Sequence, residues 1–468
     1  MVTKRTIVTF TVAALFAISP NGWADDIQDI RNEIKEIRES YEARIKSLED
    51  RLKAAETKAP EPQAQAPISK PAASATSFNP GIGMVLSGIY SNLQRDPASY
   101  NIGGFMPPGG DGIGPGKRGF SLSESELSFS ANIDPYFYGQ LTAALSGENT
   151  VSVEEAFFKT TSLPAGFSVK GGRFFSGIGY LNEVHSHAWD FVDQPLAYQA
   201  FLGGQYGQNG LQVKWLAPIP LFMEFGAEAG NGENFPGSSQ GKNGLNGGAG
   251  FMHLGGDIGD STTWRTGLSY LYNRVNDRQF TDQSGTFGGI TNSFSGKSKL
   301  MIADAIFKWA PNGNKTETSV KVQAEYFRRR ESGDIAFDVT GDPGVNPFAG
   351  SASAFSSAQS GWYVQGVYNF LSQWGVGLRY DQLSSGTPHI GLLGQTDPTT
   401  GTEINASDFS GLESYNPKRL SAMLAWSPTE FSLVRFQYAQ DKARRDVTDN
   451  QFFLQYIYSL GAHGAHKY

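Results

Sequence analysis

The sequence contains no cysteine, which removes disulfides and thiolate chemistry together. It has no apolar run approaching the ~20 residues that a membrane-crossing helix needs. Aliphatic material is scarce: hydrophobic residues make up 39% of the 468, too few for a soluble chain of this length to fill several cores. Basic charge is not in excess, the formal net charge being −7, so no cationic domain is available for nucleic acid. Histidine is sparse, six residues in all, and none sits in a hydrolase motif. A catalytic serine or aspartate with its histidine partner is therefore not expected. The Gly-rich stretches 109–116 and 241–250 lack the strand-to-helix context of nucleotide binding. No enzyme activity and no cofactor are expected.

What the chain does have is glycine, 56 residues, and 13% aromatics. From Gly81 onward apolar and polar positions alternate with period two, in stretches of roughly ten residues. Seven short turns separate them, at 132–135, 161–166, 217–220, 257–261, 310–316, 371–373 and 427–429. Long Gly/Ser/Asn-rich loops alternate with the turns. Seven turns join fourteen strands, and one strand at each end makes sixteen, with both termini on the short-turn side. An even count, short turns at one rim and long loops at the other predict an all-β fold: a 16-stranded antiparallel transmembrane β-barrel preceded by a short coiled-coil helix. A barrel needs few aliphatics because half of its strand residues face a polar interior. The clearest strands are 263–273, 300–309, 319–328, 362–370, 374–381 and 420–426. Those near 151–158 and 167–175 are harder to phase.

Four regions follow in order. Residues 1–24 read as a signal peptide, with Lys4 and Arg5 before the apolar 7–18 and a cleavage site at 22–24. Residues 25–57 read as a periplasmic coiled-coil helix carrying Ile27, Ile30, Ile34, Ile37, Tyr41, Ile45, Leu48 and Leu52 as a narrow stripe. Isoleucine at both core positions favours three or more strands, hence a homotrimer, although a helix docked on its own barrel or on the membrane fits the same stripe. Residues 58–80 form a Pro/Ala-rich linker, and 81–468 the outer-membrane barrel. The last strand places Phe452, Leu454, Tyr456, Tyr458, Leu460, Ala462 and Tyr468 on one parity and resembles the signal read by barrel-assembly machinery.

Trp215, Trp264, Trp309, Trp374 and Trp426 all fall near short turns, the placement of an aromatic girdle at the membrane interface. Parity gives the expected lumen lining. Its acidic members are Glu124, Glu126, Glu224, Glu228, Asp257, Asp304, Glu325 and Asp381, and its basic members Lys214, Arg265, Lys308, Lys321, Arg379 and Arg435. The signs nearly balance, so these charges are expected to pair across neighbouring strands, without strong ion selectivity. Arg328, Arg329 and Arg330 are expected at a strand end, as a solvated rim contacting lipopolysaccharide phosphates. The third long loop, 176–208, is the expected constriction, with Glu183, His185, His187, Trp189, Asp190 and Asp193. In an extended segment His185 and His187 point the same way and, with a carboxylate, could ligate zinc. The sequence fixes no third or fourth ligand, so no metal site is assigned.

Phe157-Phe158, Val169 to Phe175 (VKGGRFF) and Asp190-Phe191-Val192-Asp193 resemble the strand–strand–loop segment of the phosphate-selective porin O/P family. The order of coiled coil, Pro/Ala linker and barrel is similar too. That resemblance implies a trimeric, anion-selective pore, whereas parity gives a lumen of mixed sign. A TonB-dependent receptor would need a plug domain and a barrel of roughly 22 strands, for which this chain has no room. The expected function is a water-filled porin for passive diffusion of small hydrophilic solutes or ions in a Gram-negative outer membrane. The alternatives are a structural protein linking that membrane to the cell wall through the coiled coil and, less favoured, a zinc-related uptake protein. Expected partners are outer-membrane lipid and lipopolysaccharide, the assembly machinery and two further copies of the chain, with no nucleic acid.

Overall fold

In the computed structural model the described residues are Lys46 and 80–461, without 109–112, 146–149, 239, 240, 242, 283–286, 288, 315 and 316. The expected signal peptide, coiled-coil helix (Lys46 apart) and linker (Pro80 apart) lie outside the described residues, as do positions 462–468. Sixteen strands close a barrel. They are β1 (Gly81–Leu93), β2 (Gly119–Leu122 continued by Ser125–Asn132), β3 (Phe137–Leu145), β4 (Val151–Thr160), β5 (Phe167–Phe175), β6 (Gly207–Leu216), β7 (Phe222–Gly230) and β8 (Gly247–Ile258). Then come β9 (Thr262–Asp282), β10 (Ile290–Trp309), β11 (Ser319–Ala336), β12 (Ala352–Leu371), β13 (Trp374–Ser384), β14 (Lys418–Thr429), β15 (Ser432–Lys442) and β16 (Asp449–Gly461). Every neighbouring pair is antiparallel, and β1 closes on β16 with Gly83 opposite Gly461. A two-residue ladder, His389–Ile390, pairs with β12 within a long loop and adds no barrel strand.

All seven expected turns are present. The last is displaced: Thr429 pairs with Ser432, so the bend is at Glu430 and Phe431, with Pro428 at a register irregularity after Trp426. Proline fits there because it has no N–H to donate to a ladder. The strands that were hard to phase run over 151–160 and 167–175.

Alternation follows the pleat. On β10, Ile302, Asp304 and Ile306 are buried inward while Met301 and Phe307 are exposed on the outer wall. At the short-turn rim Trp374 stacks on Trp426 at 5.9 Å, and Trp215 lies between Phe167 and Phe225 at 6.2 and 5.8 Å. A second aromatic level lies nearer the long loops, where Trp362 meets Tyr380 at 5.6 Å and Tyr438 meets Phe452 at 4.9 Å. Two aromatic levels with Leu and Val between them are the outer surface of a transmembrane barrel. Strands β9 and β10 have 21 and 20 residues, about twice the ~9–11 that cross a bilayer. Their surplus forms a collar above the outer aromatic level. It is packed by Val275, Phe280, Phe294, Ile335 and Phe337 with loop residues such as Phe348, Leu392 and Phe409.

The lumen is occupied by the chain's own loops. Residues 176–206 turn inward and carry a helix that the sequence did not suggest, α1 (Leu196–Leu202), all seven of whose residues are buried. Gly203, at φ 67°, closes the helix by donating its N–H to Tyr198 O, a left-handed cap that suits glycine. Phe201 stacks on Phe327 of the wall at 5.7 Å. From the first long loop, Phe105 meets Phe201 at 5.5 Å. Aromatic and aliphatic side chains of both loops and the wall thus share one apolar cluster inside the barrel.

Candidate pore and its inward loop

The loop is fastened to the wall by polar contacts placed along its length. Near its start, Gly177 N–H donates to Glu228 at 2.9 Å and Gly179 N–H to Ser269 Oγ at 3.0 Å. Tyr180 and Leu181 N–H donate to Glu325 at 3.1 and 3.3 Å, and the hydroxyls of Tyr198 and Tyr363 donate to the same carboxylate at 2.9 and 2.5 Å. Glu183 lies 3.8 Å from Lys170 and 3.5 Å from Lys214. Four donors on Glu325 and two cations at Glu183 satisfy groups that would otherwise be costly to bury.

Beyond this point the loop bridges two walls of opposite charge. On one side His185 faces Glu126, Glu154 and Glu155 at 3.2, 3.3 and 3.2 Å, His187 faces Glu126 at 2.8 Å, and Ser186 donates to Glu124 at 2.5 Å. Burial opposes a charge on His185, but the three carboxylates outweigh it and hold its pKa well above the usual imidazole value. On the other side Asp190 meets Lys321 at 2.7 Å and accepts from Gln365 at 2.7 Å. Asp193 lies 2.7 Å from both Arg379 and Arg419 and accepts from Gln437 at 2.9 Å. Burial raises the pKa of Asp193, yet Arg419 and Arg379 bring it below the usual carboxylate value. Arg435 donates to Trp189 O at 2.6 Å, and Leu196 N–H, at the start of α1, donates to Asp381 at 2.8 Å.

Glu183, His185, His187, Trp189, Asp190 and Asp193 are therefore all on this inward segment. The structure brings that segment against Glu124, Glu126, Lys214, Lys321, Glu325, Arg379, Asp381 and Arg435. The remaining lumen candidates are on the inner face as well. Lys214 is 3.4 Å from Glu224, Arg265 donates to Gly179 O at 3.4 Å, Asp304 stands beside Glu325 in the ladder, and Lys308 stands beside Lys321. Asp257 instead is exposed near the short turns.

Two expectations are corrected. Charges were to pair chiefly between neighbouring strands, and some do, such as Lys214 of β6 with Glu224 of β7 at 3.4 Å; but the loop supplies many of the counter-charges. The arginine run is not at a strand end, because β11 continues to Ala336. Alternation sends Arg328 and Arg330 outward, while Arg329 is fully buried and donates to Gln359 Oε1 at 2.6 Å. Sequence reasoning missed Glu154, Glu155, Lys170 and Arg419. The signal for the first two was present as adjacent glutamates that strict alternation cannot place on one face.

No family model matches the chain. An uncharacterized protein of Aquifex aeolicus (strain VF5) is 31% identical over 373 residues, covering 75% of this chain and 71% of that protein. Among solved structures, a loop-deletion form of OmpT, an outer membrane protein of Vibrio cholerae, has 11% identity and a TM-score of 0.49 over 82% of this chain and 99% of that one. The outer membrane channel DcaP of Acinetobacter baumannii has 13% identity and a TM-score of 0.47, covering 82% and 97%. An anion-selective porin from Comamonas acidovorans has 8% identity and a TM-score of 0.46, covering 82% and 99%.

Proposed function

The chain belongs to the same family as the uncharacterized Aquifex aeolicus protein, and from its barrel and inward loop we propose that it is an outer-membrane porin. In this reading small hydrophilic solutes or ions pass by diffusion, and residues 176–206 form the constriction. The observation that carries it is the loop held across a polar lumen, its histidines on an acidic wall and its aspartates on a basic one. A solute squeezed between the loop and either wall meets charges of both signs, which favours polar cargo without a strong ionic preference. The outward pair Lys299 and Arg330, opposed in the ladder above the apolar belt, suits lipopolysaccharide phosphates. The isoleucine stripe of 25–57 supports a homotrimer with that helix in the periplasm, as in the phosphate-selective porin O/P family.

Single-channel recording in a planar bilayer tests the proposal. Folded, heat-modifiable protein should give discrete conductance steps, and a salt gradient should give a small reversal potential. Silent bilayers would refute it. They would favour a second reading, motivated by the apolar cluster across the lumen, in which the barrel is a closed anchor for the N-terminal helix.

A further inference from the structure

We propose that the junction of the inward loop with β2 and β4 is a divalent-metal site, with Glu126, Glu154 and His185 as ligands and zinc as the cation they suit. The proposal does not depend on whether the barrel conducts. The Nδ1 atom of His185 lies 3.2 Å from one oxygen of Glu126 and 3.3 Å from one of Glu154, and the three donor atoms all lie within 4.8 Å of one another. One N–H cannot be directed at two oxygens, and both distances exceed the ~2.7–2.9 Å of a charge-assisted hydrogen bond. They match a different object: a tetrahedral ion with bonds of about 2.0–2.1 Å sets its donors roughly 3.3–3.4 Å apart. His187 stands outside these three: its Nδ1 is 2.8 Å from the other oxygen of Glu126, so it orients that carboxylate and leaves the fourth position of the ion to water. One imidazole and two carboxylates with an open fourth position form a donor set that suits zinc better than calcium or magnesium, which prefer oxygen alone.

The backbone is shaped for this cluster. Thr142 of β3 pairs with Glu155 but Ala143 pairs with Val153, so Glu154 is the extra residue of a bulge. The bulge lets two consecutive glutamates reach His185, one at each ring nitrogen; a regular strand would send one of them to the lipid face. A second irregularity interrupts β2. Gly88 pairs with Leu122 and Val85 with Glu126, leaving three residues opposite two, and Glu124 among the three. Between the bulged strands β3 presents only a methyl, that of Ala144, opposite Glu126, and its Gln140 donates to Glu155 at 3.4 Å. Charge points the same way: Glu124, Glu126, Glu154 and Glu155 surround two histidines, so the cluster is negative even with both rings protonated. A divalent cation replacing the imidazolium proton of His185 relieves that excess. Glu155 and Glu124 then serve as positioning residues, Glu155 holding the free ring nitrogen of His185 and Glu124 the hydroxyl of Ser186.

The test uses the full chain carrying His463→Gln and His466→Gln, which removes the other histidine pair, folded in detergent and stripped with EDTA. Titration calorimetry and elemental analysis should find one zinc ion per chain. Glu154→Gln and His185→Gln should each lower the affinity at least tenfold, while Glu430→Gln, exposed at the short turn between β14 and β15, leaves it unchanged. Absence of zinc binding, or equal affinity in the Glu154 and His185 variants, overturns the site. If those variants lose their heat-modifiable band, the cobalt(II) spectrum of the parent chain decides. Intense visible bands of a four-coordinate ion support the site, and their absence overturns it. A chain that conducts but takes no zinc overturns this inference alone; one that takes zinc in silent bilayers overturns only the porin reading.

Discussion

Replacing Asp193 by Asn removes the charge that holds the loop against the basic wall. Asp193 lies 2.7 Å from both Arg379 and Arg419. Hydrogen bonds to charged groups are worth about 1.5–3 kcal/mol each, so two set a ceiling of about 6 kcal/mol. The substitution does not strand either cation, however. Asp381 remains 3.1 Å from Arg379 and 3.6 Å from Arg419, and Asp441 remains 3.7 Å from Arg419. The loss should therefore fall near the lower end, about 3 kcal/mol, instead of the 3–5 kcal/mol or more seen when a buried charge loses its only partner. At ~1.4 kcal/mol per factor of ten, the ratio of docked to undocked loop falls roughly 100-fold. Two assays read this. Single-channel traces should show more frequent excursions to a larger conductance. Because the chain has no cysteine, Ala197→Cys on the fully buried face of α1 makes a single reporter, and its maleimide labelling should accelerate roughly 100-fold in the Asp193→Asn background. Unchanged labelling and unchanged gating in folded Asp193→Asn protein would refute the latch.

Further predictions concern pH and the wall. The pKa of Asp193 is depressed by its arginines, so its contribution is complete above the ordinary carboxylate value of about 3.9 and is lost as pH falls through the lower folded value. The difference in thermal stability and in gating between the parent chain and Asp193→Asn should thus stay constant from pH 7 down to about 4 and shrink below that; a difference that collapses near pH 6 would contradict this. Arg278 binds both oxygens of Glu331, at 2.9 and 3.0 Å, in a buried pair. The fully buried Arg329 lies 3.9 Å from the same carboxylate, so Glu331→Leu strands two cations and should cost at least about 3–5 kcal/mol in denaturant unfolding, whereas Arg278→Met leaves Glu331 a partner and should cost less. Gly172 has φ 127°, and a Cβ there would lie 2.2 Å from Ala156 O. Gly172→Ala should cost at least about 2 kcal/mol and lower the refolding yield, measured by the heat-modifiable band.

The architecture was legible because its determinants are local. Short turns, period-two alternation and rim tryptophans need no knowledge of distant contacts, and on β9 and β10 they placed Arg265, Asp304 and Lys308 on the inner face. Legibility failed where the period breaks. Glu154 and Glu155 could not be phased because a bulge, whose cause lies in the pairing with β3, puts both in reach of the lumen. Arg328 to Arg330 looked like a strand end because charge density was read ahead of alternation; β11 runs on, and Arg329 is buried. The histidine pair at 185 and 187 was visible, but its carboxylate partners lie on β2 and β4, far away in sequence. Helix α1 and the inward turn of the first loop carry no periodic signal of their own, since their partners are Phe327, Gln359 and other wall residues that only closure brings near.

The latch also bears on the order of assembly. Its partners run from Glu126 on β2 to Arg435 on β15, so they converge only when nearly the whole circle of strands is in place. A partly built sheet offers the loop one wall or the other, and with it an uncompensated charge. Docking must then come late, and its free energy accrues almost entirely to the finished barrel. This makes closure more nearly all-or-none than strand pairing alone would. Variants of the loop should accordingly leave the rate of strand insertion alone and hasten unfolding, as expected for contacts absent from the transition state.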